Sequence, residues 1–200
     1  MFTGIITLQA KITELKKSGT NLQFTLSADL PKEIGVNDSI AHDGVCLTLI
    51  QRKGRTYKVE AIQETLKIST LSDKNVGDVL NLEVPLKMNQ YLHGHIVQGH
   101  VDGKLKLQKI ITYEGSHNLR FGFQKKAIPF ILPKGSICIN GVSLTVSKVN
   151  YKKMYFEVSI IPHTWTKTNL SKLTVHEKVN VEYDLMLKYL HQMQTIYIKN

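Results

Sequence analysis

Cysteine is scarce in this 200-residue chain, and the two present, Cys46 and Cys138, form no Cys-x-x-Cys pair. That excludes a disulfide scaffold and the usual structural zinc patterns. Arginine is scarce too: of 26 Lys and Arg residues, only Arg52, Arg55 and Arg120 are Arg. The lysines are scattered, their longest runs being pairs such as Lys16-Lys17, Lys125-Lys126 and Lys152-Lys153. Trp165 is the single tryptophan. Nucleic acids are read largely by Arg forks and by exposed aromatic platforms. The net charge of +10 therefore reads as a solvated Lys-rich surface, and no nucleic-acid partner is expected. No run of about 18 apolar residues occurs, so no membrane span is expected. The first residues, Met1-Phe2-Thr3-Gly4-Ile5-Ile6, lack the basic and apolar regions of a secretion signal. A soluble, cytoplasmic location is expected.

What the chain does have is an internal duplication. Ser39-Ile40-Ala41-His42-Asp43-Gly44-Val45-Cys46-Leu47-Thr48-Leu49 returns as Ser136-Ile137-Cys138-Ile139-Asn140-Gly141-Val142-Ser143-Leu144-Thr145-Val146. Glu64-Thr65 answers His163-Thr164, the stretch Val76 to Glu83 answers Val175 to Glu182, and Thr3-Gly4-Ile5 answers Gln98-Gly99-His100. The offset drifts through 95, 97 and 99 residues, as two small insertions produce. Solenoids and propellers repeat about every 20 to 50 residues, so this period means two copies of a whole small domain. Two similar pockets for two similar molecules follow.

Alternation of apolar and polar residues dominates both copies, as in Asn21 to Leu26, Thr56 to Ala61 and Met154 to Ile160. Asp43-Gly44 and Asn140-Gly141 predict tight hairpin turns. About six short antiparallel strands per copy are best closed into a barrel, which leaves no sheet edge. The fold class is therefore all-β, with two similar six-stranded barrels over 1–95 and 96–184. Pro31 to Ile34 and Ala127 to Leu132 are the plausible short helices within the copies. Beyond Asp184, Met186, Tyr189, Leu190, Met193, Ile196 and Tyr197 recur at helical spacing. A C-terminal helix is expected over 185–200, packing on copies of itself in an oligomer; the alternative is a helix folded back over its own barrel.

The stretches Met1 to Ile6, Asp43 to Thr48, Gly94-His95-Ile96-Val97-Gln98-Gly99-His100-Val101-Asp102-Gly103 and Gly141 to Val146 together resemble the riboflavin synthase family of two-barrel, lumazine-dismutating enzymes. The resemblance covers nearly the whole chain. It implies Greek-key barrels and a transferase that needs no cofactor. Two 6,7-dimethyl-8-ribityllumazine molecules would give riboflavin and 5-amino-6-(D-ribitylamino)uracil by four-carbon transfer. It also implies a homotrimer with the site between the N-terminal barrel of one subunit and the C-terminal barrel of another, and it raises lumazine synthase as a partner. A non-catalytic relative on the same scaffold, the lumazine- or flavin-carrying antenna protein of luminous bacteria, is the competing reading. Its discriminating features would be loss of His100 or of Ser143-Leu144-Thr145, all present here.

The resemblance assigns catalytic roles to His100, Ser39 and Cys46. His100 replaces Ile5 of the first copy, and a near-neutral imidazole suits proton transfer. Cys46 replaces Ser143 and could add to or polarise the lumazine. Substrate contacts are expected from Gly4, Ile5, Ile6, Leu47, Thr48, Gln63, Glu64, Thr65, Gly99 and Val101, with Cys46 and His100. The second copy adds Lys134, Ser143, Leu144, Thr145, Ile160, Ile161, Pro162, His163, Thr164 and Asp184. Lys134 aligns with Gly35 or Val36 depending on the gap, and Asp184 with Pro85. In an extended strand His93 and His95 share a face that His100 does not. No metal site is expected.

Overall fold

A computed structural model describes residues 1–197; the last three residues of the expected helix lie outside the described part. The first copy contains β1 (Leu8–Ser18), β2 (Asn21–Ser27), β3 (Ser39–His42), β4 (Val45–Lys53), β5 (Thr56–Ala61) and β6 (Val79–Glu83). The second contains β7 (Gly103–Tyr113), β8 (Ser116–Gly122), β9 (Ser136–Ile139), β10 (Val142–Asn150), β11 (Tyr155–Ile160) and β12 (Lys178–Tyr183). Each set closes in the same cyclic Greek-key order, β1-β2-β5-β4-β3-β6 and its equivalent in β7 to β12. All pairings are antiparallel.

Alternation explains the closure. Val45, Leu47 and Leu49 of β4 point into the first barrel and are buried, whereas Cys46, Thr48 and Ile50 face out. Ile12, Phe24, Leu26 and Val59 fill that barrel, and Leu107, Phe121, Phe156 and Val158 fill the second. Side chains of this kind each contribute about 1.5–3 kcal/mol on full burial. Both interiors are filled by their own side chains.

Short helices differ from expectation. Pro31 to Ile34 is a turn, because Arg52 takes the carbonyls of Leu30, Pro31 and Ile34 that a helix would use. The Ala127 to Leu132 helix is a 3-10 helix at Lys125–Phe130. Unanticipated are α1 (Gln63–Ile68) and α2 (Pro162–Lys167), each running into a 3-10 turn, Thr70–Asp73 or Asn169–Lys172. Six residues with no buried member leave no periodic signature. The terminal helix α3 (Leu185–Tyr197) is present. Lys188 pairs with Asp102 at 3.1 Å, and His191 lies edge-on to Phe130. The Met186, Tyr189, Leu190, Met193, Ile196 and Tyr197 side chains stay exposed. No described helix is long and apolar enough to cross a membrane.

The barrels meet about a pseudo-twofold seam. The Asp43-Gly44 and Asn140-Gly141 turns have φ of 46°, 80°, 45° and 80°, the positive pair that two-residue hairpins need. They abut: a Cβ on Gly44 would lie 2.8 Å from Gly141 N, and one on Gly141 2.8 Å from Gly44 N. Around them runs a buried amide network. Asn81 Nδ2 donates to Asn140 O (3.0 Å), and Asn180 Nδ2 donates to Asp43 O (2.9 Å). Asn169 Nδ2 donates to Asp43 Oδ1, and Lys74 neutralises Asp43 Oδ2 at 3.0 Å. Phe2 and Val97 pair across the seam and pack with Ala41 and Cys138. Cys138 is thus a buried filler, its thiol pKa raised by burial.

Candidate active site

The same ledge is built twice, each time with a segment borrowed from the other copy. On the first, Ser39 faces Thr48 and Ala41 faces Cys46 across β3 and β4. The segment before β7 lies over them: Cys46 N donates to Gly99 O at 2.9 Å. A Cβ on Gly99 would come within 2.6 Å of Cys46 Cβ, and its φ is 80°, so glycine is required there. Buried Glu182 clamps this segment, accepting from the N–H groups of Gln98 (2.7 Å), Gly99 (2.9 Å) and His100 (3.0 Å). The His100 side chain stands exposed beside the ledge, and Val101 packs into the first barrel's core.

On the second ledge, Ser136 faces Thr145 and Cys138 faces Ser143. Here the N-terminal segment crosses over, with Ser143 N donating to Gly4 O at 2.7 Å. Gly4 has a φ of 77°, and a Cβ on it would lie 2.6 Å from Ser143 Cβ. Glu83 accepts from Thr3 N (2.7 Å), Thr3 Oγ1 (2.7 Å) and Gly4 N (2.8 Å). Burial raises the pKa of both clamping carboxyls, while the N–H donors pull it down. Ile6 packs against the second barrel's core, and Ile5 is exposed.

The expected site residues therefore fall into two groups. Ser39, Cys46, Thr48, Gly99 and His100 share one ledge; Gly4, Ile5, Ser143 and Thr145 share the other. Leu47, Val101, Leu144 and Ile160 have buried side chains and offer a ligand only backbone. Gln63, Glu64 and Thr65 lie on α1, which follows β5 and starts at the end of the sheet from which the antiparallel β4 sets out. Ile161, Pro162, His163 and Thr164 hold the same place at α2. Asp184 caps α3, its Oδ1 accepting from Met186 N at 2.8 Å.

Two placements correct the sequence reading. Lys134 matches Asn37, not Gly35 or Val36. Both have positive φ, 65° and 78°, and donate their N–H to the equivalent carbonyls of Val146 and Leu49. The segment from His93 to His100 is irregular rather than an extended strand, so the face argument for its histidines does not apply. Phe2, Glu83, Glu182 and His95 also build this frame, and none is among the expected catalytic or substrate-contact residues. The two glutamates carried a signal, since they answer each other at the offset of 99.

Clefts border this frame. One of about 320 Å³ is lined by Thr3, Ile5, Glu83, Tyr91 and His93 beside the N-terminal crossing. Another, of about 700 Å³, includes none of the ledge residues and is lined in the second copy by Lys106, Phe123, Phe130, Met154 and Lys188 among others.

Residues 3–85 and 98–184 each match the lumazine binding domain family. The riboflavin synthase of Actinobacillus pleuropneumoniae is 37% identical over 193 residues, covering 96% of this chain and 89% of that protein. Those of Brucella abortus and Bacillus subtilis are 36% and 33% identical, over 94% and 96% of this chain and 96% and 89% of their own lengths. The chain belongs to the riboflavin synthase family of two-barrel lumazine-binding proteins. The chain is an enzyme, a transferase of riboflavin synthesis. Among solved structures, LumP complexed with riboflavin superposes with a TM-score of 0.82 at 23% identity, covering 92% of this chain and 99% of that one. LumP complexed with 6,7-dimethyl-8-(1'-D-ribityl) lumazine gives 0.80 at 22%, with the same coverage. At that identity the likeness speaks for the fold.

Proposed function

We propose that this enzyme converts two molecules of 6,7-dimethyl-8-ribityllumazine into riboflavin and 5-amino-6-(D-ribitylamino)uracil. The observation that carries this reading is the doubled ledge, which offers two alike but unequal seats to two identical molecules. One partner loses a proton from its 7-methyl group, and the resulting carbanion attacks the other. Four carbons then pass from donor to acceptor, and the donor leaves as the diaminouracil. Approximation of two bound rings can supply about 7–11 kcal/mol of the barrier. In this reading His100 moves the proton; its exposed side chain at the first ledge, on a segment anchored through Glu182, supports that role. Ser39, Cys46 and Thr48 present hydroxyl and thiol groups to that ring, and Ser143 and Thr145 to its partner.

The ledges of one chain open on separate barrels, so bringing two rings together calls on a neighbouring subunit. The exposed apolar face of α3 suits the contact, and a homotrimer in the cytoplasm completes the reading. Light scattering should then give three times 22.7 kDa. Incubation with the ribityllumazine alone should yield flavin fluorescence, one riboflavin per two substrates consumed. Bound but unconverted lumazine would assign the chain to the antenna carriers instead. His100→Ala should lower turnover by about 10²- to 10⁴-fold with a smaller change in affinity; equal losses would make it a binding residue.

A further inference from the structure

His95 has no part in the site as described, yet it sits on it. Its Nδ1 is 2.7 Å from Ser143 Oγ, and its backbone N–H donates to Thr3 O at 3.1 Å. The preceding Gly94 leaves it no slack: a Cβ there would meet Thr3 O at 2.0 Å and Ser143 Oγ at 2.9 Å. The imidazole is therefore pinned between the Glu83-clamped N-terminal segment and the second ledge. Its Nε2 is buried and has no partner among the described residues.

The tautomer follows from that orphaned nitrogen. Burial favours the neutral ring and lowers its pKa, against the opposing pull of Asp184. A neutral imidazole has one N–H and one lone pair. A buried N–H without a partner is the rarer and costlier arrangement, so the hydrogen belongs on Nδ1. Nδ1–H then donates to Ser143 Oγ, and the Ser143 hydroxyl hydrogen is turned outward to the ledge. At the equivalent place the first copy has Cys46, a weak donor.

We infer that His95 is a positioning residue that holds Ser143 as a hydrogen-bond donor to a carbonyl oxygen or ring nitrogen of a heteroaromatic ligand on the second ledge. This rests on the proposed function and assigns one ledge a polarity the other lacks. The ligand that reads it is an acceptor-edged bicyclic ring.

Double-mutant binding cycles test the pairing, with 6,7-dimethyl-8-ribityllumazine titrated into the full chain by fluorescence. Ser143→Ala and His95→Leu should each weaken one class of sites by about tenfold, a single hydrogen bond's worth, and leave the other class alone. The double variant should be no weaker than either single one. His95→Asn, whose amide N–H can stand where Nδ1 does, should recover most of the loss; His95→Gln, whose amide reaches the Nε2 position, should not. If His95→Leu fails to fold, the Asn and Gln variants decide alone. Additive losses, an unaffected His95→Leu, or equal binding by Asn and Gln variants would overturn the inference while wild-type binding stands. A wild type with no affinity for the lumazine would remove the functional reading, and this with it.

Discussion

The two barrels share a frame and differ in what they hang on it. Gly44 and Gly141, Asn81 and Asn180, and Glu83 and Glu182 occupy equivalent places and make equivalent bonds. The differences lie elsewhere. The first barrel buries His42 and Tyr57, with His42 Nε2 2.9 Å from the Tyr57 hydroxyl, where the second has apolar Ile139 and Phe156. Cys46 stands for Ser143, Asn37 for Lys134 and Pro85 for Asp184. The offset widens at the 3-10 helix Lys125–Phe130 and at the turn between β10 and β11, and residues of both segments line the 700 Å³ cleft. A duplicated frame positions two like ligands, and unlike side chains let them play unlike parts.

The frame breaks most readily at the seam. Gly44→Ala puts a methyl 2.8 Å from Gly141 N, at a φ of 80° that L residues rarely adopt. Gly54→Ala, also at positive φ (59°), meets nothing within 4 Å. Urea titration should show Gly54→Ala costing about 1 kcal/mol and Gly44→Ala at least about 3 kcal/mol, because turn against turn leaves no flexible atom to yield. Equal costs would mean that the barrels do not rest on these turns.

A smaller and pH-dependent effect separates the interiors. Burial lowers the His42 pKa from 6.5 to about 4, while the Ile40 carbonyl at Nδ1 resists. Between those values the unfolded chain holds a proton that the folded chain does not. Stability should therefore fall as pH drops from about 7 to 4, by as much as ~3 kcal/mol from this group. Tyr57, its own pKa raised by burial, stays neutral throughout. Giving the first barrel the second's pair, His42→Ile with Tyr57→Phe, should flatten that slope in thermal melts taken across the range. An unchanged slope would place the acid sensitivity elsewhere.

Much of this frame is legible in the amino-acid sequence. Strand alternation and the Asp43-Gly44 and Asn140-Gly141 pairs carry two barrels, because period-two burial and positive-φ turns are local properties. The crossing of Thr3 to Ile6 onto the second barrel, and of Gln98 to Val101 onto the first, is not local. Nothing in either segment states which copy it will cover. His95 was hidden for the same reason, since its partner Ser143 is 48 residues away. The short helices α1 and α2 bury no side chain and so imprint no pattern.

The finest distinction rests on one backbone angle. Lys134 holds a φ of 65° so that its N–H can reach Val146 O at 2.8 Å, the bond that Asn37 makes to Leu49 O at the same distance. Asparagine tolerates left-handed backbone well, because its short side chain can bond locally; lysine gains nothing there. A strained residue of this kind costs of order 1 kcal/mol. Lys134→Asn should therefore gain a few tenths of a kcal/mol in chemical denaturation, since asparagine relieves part of that strain. If the exposed Lys134 ammonium serves the second ledge, the same variant should weaken lumazine binding there while melting higher. A variant that gains stability and binds as before would make the lysine an accident of the turn, leaving Thr145 and the His95-held Ser143 as the polar groups of the second ledge.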